Sequence, residues 1–238
     1  MWSTLLELPA SAQPSNRFLG NLTASDWRRI SALSAVIVIS ILPSIAFYQV
    51  TNVAPVWTQQ HVASNIGTLR IPVPWYLSIN SLFSILGVPL LLWVWRRQAA
   101  RRGEPDEIAK IGVGAVLIGA SNLILVAATL MSRGGVANPI WPFLYSAGLG
   151  VGFLYYWPTL LSLVSRAAPA RVNATMMGFA FISLFVANNL IGWVGGFYES
   201  MGPLGFWLMH ALIGAAGGLL TILFGRNLSR ILRTGVQD

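Results

Sequence analysis

Six long apolar stretches run along the chain, at approximately 30–51, 72–95, 109–131, 139–165, 173–198 and 203–225, with shorter polar segments between them. Each is near the roughly 20 residues that a helix needs to cross about 30 Å of hydrocarbon. Runs of this length predict helices, because lipid offers no partner for a free backbone amide and the prolines among them break any neat strand. The expected fold is all-α and integral to the membrane. It divides into a cytoplasmic segment at 1–29, a six-helix transmembrane bundle at 30–225 and a cytoplasmic tail at 226–238.

Composition agrees with this pattern. Of 238 residues, 55% are hydrophobic and 9% charged, and the mean hydropathy is +0.66. Globular domains carry about 25% charge, so this chain lacks the residues to cover a soluble core. The opening MWSTLLELPASAQPSNRF does not read as a signal peptide, since it has no basic start, carries Glu7 and holds only a short apolar run.

The net charge of +8 would point to nucleic acid in a soluble chain. Here the basic residues stand in blocks between the spans, and no nucleic-acid partner is expected. Arg17, Arg28 and Arg29 precede the first span; Arg96, Arg97, Arg101, Arg102 and Lys110 lie between the second and third. Arg166 and Arg171 lie between the fourth and fifth, and Arg226, Arg230 and Arg233 follow the last. Of the 15 Lys and Arg residues, only Arg70 and Arg133 fall on the other side. The positive-inside rule then places both termini in the cytoplasm, as in a multi-pass protein of the plasma (inner) membrane. The triplets at Asn21, Asn173 and Asn227 resemble glycosylation sites but fall on the inner side, and read as chance.

Little catalytic chemistry is visible. The chain has no cysteine, no catalytic triad, no metal-ligand spacing and no phosphate cradle, so no enzyme, metal or cofactor is expected. No Asp or Glu lies inside a span, and His210 is the only histidine within one. Its plainer reading is a residue packed against a neighbouring helix. Polar amides lie inside the spans, at Gln49, Asn80, Asn122, Asn188 and Asn189. An unpaired amide in hydrocarbon is costly, so each is expected to face a helix or a wet cavity. GLGVG at 148–152, GWVGG at 192–196 and GAAGG at 214–218 share the Gly-x-x-x-Gly spacing that lets helix backbones approach, and are expected to pack within the bundle. Pro43, Pro89 and Pro158 fall in or near the ends of spans, where kinks can border cavities. Trp57 and Trp75, in the segment NVAPVWTQQHVASNIGTLRIPVPWY, are expected at the membrane interface.

Several segments, in order, resemble one family. LTASDWRRI at 22–30 is similar to the segment that opens the second half of the proton-dependent oligopeptide transporters, the POT or PTR2 family of the major facilitator superfamily. IPVPWYLSINSLFSILGVPLLLWVW at 71–95 resembles their eighth helix. GEPDEIAKIGVGAVLIGA resembles the start of the ninth, with Lys110 in the family's lysine place. LSLVSRAAPARVNATMMGF resembles the turn from the tenth helix to the eleventh, and ANNLIG at 187–192 the family's Gly-Asn-x-x-x-Gly segment. The resemblance implies the C-terminal six-helix bundle of a twelve-helix transporter. The Glu-x-x-Glu-Arg signature of the family's first half, used in proton coupling, does not occur here.

The departures fall on the pocket. The acidic places before the helix-seven glutamine match Phe47 and Tyr48, ahead of Gln49. The helix-ten glutamate that would engage a peptide's amino end matches Phe153. A small hydroxyl residue before Pro158 is replaced by Trp157, and a pocket tryptophan by Ala180; Asn80 retains the family's peptide-contacting identity. The resemblance implies a half-transporter of peptides, needing a partner half or a second copy for alternating access. Asn80 and Gln49 would be its polar contacts, with Tyr48, Phe153 and Trp157 as aromatic lining. The alternative is a non-transporting truncated or accessory protein that binds another membrane protein. Beyond these the expected partner is the lipid bilayer.

Overall fold

The computed structural model describes residues 22–102 and 106–233. Eight helices are present among them: α1 (Ala24–Ile39), α2 (Ile41–Tyr48), α3 (Val53–His61), α4 (Pro74–Arg102), α5 (Glu107–Ser132), α6 (Ile140–Ala167), α7 (Asn173–Gly195) and α8 (Phe197–Arg233). A two-stranded hairpin, β1 (Asn65–Ile66) and β2 (Leu69–Arg70), joins α3 to α4. Six helical segments are long and apolar enough to cross a membrane, with α1 to α3 counting as one broken crossing. Of the expected terminal segments, 1–21 and 234–238 lie outside the described residues. Ala24–Arg29 and the backbone of 226–233 are helical, so helix extends past both expected boundaries.

Local chemistry sets the breaks. Thr23 and Asp26 cap α1 reciprocally: Asp26 N donates to Thr23 Oγ1 at 3.2 Å, and Thr23 N donates to Asp26 Oδ2 at 2.9 Å. The helix stops at Ser40 because Pro43, in the first turn of α2, has no N–H to give the carbonyl of Ile39. A second break, at 49–52, separates α2 from α3. The first crossing is thus longer than the expected 30–51, and part of the expected outer loop is helix. Pro74 opens α4 at the first helical position, where its missing N–H is harmless. Arg133 and Gly134 end α5 in left-handed conformation (φ 46° and 81°). Gly202 (φ 67°) and Pro203 break the first turns of α8.

The bundle is built around α5, whose glycines meet the backbone of α6 on one side and of α8 on the other. A Cβ on Gly114 would stand 2.7 Å from Tyr156 N and 2.9 Å from Gly152 O. One on Gly214 would stand 2.7 Å from Gly119 Cα, and one on Gly218 3.0 Å from Gly112 O. Two of the three expected glycine clusters therefore do pack inside the bundle. The third behaves differently. Nothing stands near Gly192, and Gly195 packs on Asn52.

α4 lies outermost and rests on α6. Tyr76 and Leu91 are its only buried hydrophobic residues among those described. α7 also has an open flank, with Phe181, Ile182, Phe185 and Trp193 exposed.

Several expected placements change. Trp57 is 1% exposed and sits edge-on to Trp207 at 6.2 Å, because α3 buries the face formed by Val53, Ala54 and Trp57. Trp75 stays exposed. Asn188 and Asn189 face neither helix nor cavity in this chain; each lies exposed and donates at 2.8 Å to a carbonyl four residues back, Leu184 O and Phe185 O. Asn122 is buried and satisfied in part by its own helix, through Ile118 O at 2.9 Å. His210 is fully buried against Phe206, ring to ring at 4.3 Å, with Nδ1 paired to Phe206 O at 2.8 Å. It is not the only histidine in a crossing, since His61 ends α3.

Gly114→Val and Gly119→Val should each force α5 off a neighbour's backbone, where nothing flexible can yield. Overpacking of this kind costs about 1–3 kcal/mol. Each should lower the folded yield and melting temperature in detergent, whereas Gly178→Ala, with open space around it, should leave both unchanged.

Candidate functional site

The site is anchored at the break between α1 and α2. Tyr156 of α6 donates its hydroxyl to Ser40 O at 2.6 Å and pairs with Ser44 Oγ at 2.8 Å. All three residues are buried. Ser40 O also accepts from Ser44 N at 3.3 Å, so the carbonyl at the break serves both its own helix and the tyrosine.

This anchor sets α2 against α6 and lines up their aromatic residues. Phe47 stacks on Phe153 at 4.9 Å, and Tyr48 meets Phe47 edge-on at 5.0 Å. One turn along α6, Trp157 meets Phe181 of α7 edge-on at 6.0 Å. Such geometries add to burial through the ring quadrupoles. Tyr48, Phe153 and Trp157 are all half-buried, so they form one aromatic band across α2, α6 and α7.

Asn80 lies beyond the band, on α4. Its Nδ2 donates to Ser146 O at 3.2 Å. Its backbone carbonyl accepts from Ser84 Oγ at 3.0 Å, and the same hydroxyl reaches Gly150 O at 3.3 Å. Gly150 allows this approach: a Cβ there would stand 2.6 Å from Asn80 O. Asn80 therefore braces α4 against the α6 backbone.

Gln49 is set apart from the others. It caps α2, is fully buried, and accepts at Oε1 from Asn52 Nδ2 at 3.3 Å. Its Nε2 has no partner among the described residues. Asn52 also donates to Ile191 O of α7 at 2.9 Å. The structure thus brings Tyr48, Phe153 and Trp157 together, with Asn80 on the adjoining seam, and places Gln49 behind them. Sequence reasoning missed Ser40, Ser44, Asn52 and Tyr156. The available signal was two serines four residues apart around an in-span proline.

Charge gathers at the ends of the helices. At the start of α5, Glu107 pairs with Arg166 and accepts from Ser162 Oγ at 3.2 Å, while Asp106 accepts from Ser229. Lys110 lies over the Trp95 ring at 4.1 Å, and Arg97 over Trp93 at 4.1 Å. Of the described carboxylates, Asp26, Glu107 and Glu199 stand in the first turns of helices and Asp106 caps one, all at helix ends.

Six apolar crossings packed on glycine seams, with polar groups turned to one another, define a multi-pass integral membrane protein. The POT family model, PTR2, matches residues 12–202, and the chain belongs to that family. It is 26% identical over 226 residues to a di-/tripeptide transporter of Lactococcus lactis subsp. cremoris, covering 90% of this chain and 44% of the relative. It is 31% identical over 130 residues to the peptide transporter YePEPT of Yersinia enterocolitica subsp. palearctica, covering 53% of this chain and 25% of the relative. A crystal structure of a POT peptide transporter with sulfate superposes with a TM-score of 0.81 at 22% identity, over 88% of this chain and 42% of that one. A POT family transporter with 5-aminolevulinic acid gives 0.79 at 20% identity, over 87% and 43%. The chain spans less than half the length of these proteins. The all-α, six-crossing fold expected from the sequence is the fold observed.

Tyr156→Phe should remove two buried hydrogen bonds, those to Ser40 O and to Ser44 Oγ. A buried polar group without its partner costs about 1–3 kcal/mol. The melting temperature in nanodiscs should fall, and Tyr155→Phe, which removes a hydroxyl outside this anchor, should shift it far less.

Proposed function

We propose that this bundle is one half of a POT-type peptide transporter and works with a second six-helix half by alternating access. The observation that carries the reading is the half-buried aromatic band of Tyr48 on α2 and Phe153 and Trp157 on α6, continued by Phe181 of α7 and flanked by the uncovered faces of α4 and α7. Membrane helices that expose aromatic and amide groups together, as α7 does at Phe185, Asn188 and Asn189, suit a protein or water-filled surface better than lipid. The partner half would cover these faces, and the band would form one wall of a central cavity. Asn80 would supply an amide to a peptide backbone there. Gln49 would act from behind, by holding the break between α2 and α3.

The similarity to a di-/tripeptide transporter and a peptide transporter supports a short peptide as substrate. The resemblance to proton-coupled transporters supports proton coupling, yet the described carboxylates of this chain all stand at helix ends, none in the middle of a crossing. The membrane-buried proton carrier would therefore come from the partner half. The distribution of Lys and Arg supports both termini in the cytoplasm and insertion in the plasma membrane.

A second reading is an accessory membrane protein that binds another and does not transport. It is favoured by Phe153 at the family's glutamate place, since phenylalanine cannot fix an ammonium by charge. Uptake of a labelled dipeptide into vesicles separates the two. The half-transporter reading expects uptake only when the chain is co-expressed and co-purified with a first half, with at least a tenfold loss for Trp157→Ala. Uptake by this chain alone contradicts it, and no uptake with a matched half favours the accessory reading.

A further inference from the structure

Two tryptophan–cation stacks lie on one turn of α4, and they serve different surroundings. Trp95 turns inward. Lys110 of α5 lies over its ring at 4.1 Å, and Tyr155 of α6 meets it edge-on at 5.7 Å. Lys110 is only 6% exposed, so this stack ties the end of α4 to two neighbours. Trp93 turns outward and is 50% exposed. Its cation, Arg97, comes from the next turn of the same helix and is itself exposed. A stack made within one helix, on an exposed face, braces nothing inside the bundle.

Charge at this end is one-sided. α4 stays helical to Arg102, past Gln98, where its apolar crossing ends. The segment RRQAARR at 96–102 carries four arginines and no acidic residue. Neither Arg96 nor Arg97 has an ion-pair partner among the described residues. The carboxylates that open α5 are engaged elsewhere, Asp106 with Ser229 and Glu107 with Arg166. A guanidinium stacked on a ring uses its face and leaves the N–H groups along its edge free for a phosphate. Four basic residues just outside a membrane helix also form the pattern that attracts anionic lipid.

We propose that this end of α4 is a binding site for the headgroup of an anionic phospholipid. Arg97, held over the Trp93 ring, and Arg96 beside it take the phosphate. The Trp93 ring lies just beneath, at the level where tryptophan settles in a membrane. A zwitterionic lipid offers the same phosphate together with a cation that the arginines repel, so the site selects net negative charge. The proposal needs only the six crossings. It holds whether or not a partner half covers the middle of α4, and whichever way the chain is inserted.

The test uses the whole chain in neutral detergent, titrated with phosphatidylglycerol or phosphatidylcholine, with bound lipid counted by native mass spectrometry. The unaltered chain should take up its first phosphatidylglycerol at least tenfold more tightly than phosphatidylcholine. Equal binding overturns the proposal, and this arm needs no variant. Each arginine near an anionic surface contributes a factor of about five. Arg96→Gln combined with Arg97→Gln should therefore weaken phosphatidylglycerol binding by roughly tenfold or more and leave phosphatidylcholine unchanged. Arg133→Gln, at the opposite end of α5, should change neither. Trp93→Leu keeps every charge and should still weaken phosphatidylglycerol binding severalfold, because Arg97 loses the ring that positions it. Full binding by Trp93→Leu, or a loss in the double variant no larger than in Arg133→Gln, would mean attraction spread diffusely over the basic helix ends and would overturn the site.

Discussion

The close approach of α5 to both α6 and α8 is the contact on which the other placements depend. In lipid, apolar side chains gain nothing by leaving one oily environment for another, so helices associate where backbones fit closely. Gly114 against Gly152, Gly119 against Gly214 and Gly112 against Gly218 provide that fit on two sides of one helix. α6 and α8 are thereby fixed relative to each other. α2 then packs on α8 through Gly217, where a Cβ would stand 2.6 Å from Pro43 Cδ. This places the proline break beside Tyr156. The aromatic band follows from that chain of contacts.

The second constraint is the scarcity of hydrogen-bond partners. At the breaks of the first crossing, side chains and backbone carbonyls bond across the bundle. Tyr156 reaches across to Ser40 O, and Asn52 reaches Ile191 O from the second break. The polar residues of this bundle are therefore spent largely on the backbone itself. This explains why so few remain facing outward, and why Asn80, however suited to a ligand, already holds Ser146 O.

Much of the architecture was legible in the sequence, and the reason is physical. A crossing must be long, apolar and helical, so six apolar runs leave little choice of fold, and GLGVG and GAAGG announce where helices meet. The first crossing was misjudged because hydropathy falls at Gln49, Thr51 and Asn52, which read as the end of a span. Helix resumes at Val53, with Asn52 bonded to Gln49 and to Ile191 O of α7, a contact that the linear sequence does not show. Trp57 was misplaced for the same reason. Interfacial tryptophan is a rule about lone helices, and α3 has Trp207 to pack on. The aromatic residues of the candidate site were singled out by resemblance, but their joining into a band depends on Tyr156. Nothing in composition or spacing distinguishes that tyrosine from its neighbour Tyr155.

The preserved scaffold and the altered pocket bear on the proposed role in different ways. The glycine seams and the Tyr156 anchor contain no charged residue, so Phe47, Tyr48 and Phe153, at places that the resemblance gives to acidic residues, are compatible with the fold. What changes is the kind of contact the surface can make. Stacked rings offer area, shape and a weak attraction for cations over their faces, and a glutamate would offer a fixed charge. A wall built this way can hold the apolar side chains of a peptide, but it cannot by itself set the direction in which the peptide lies. In the proposed assembly that polarity would have to come from the partner half, and this chain's wall would contribute fit.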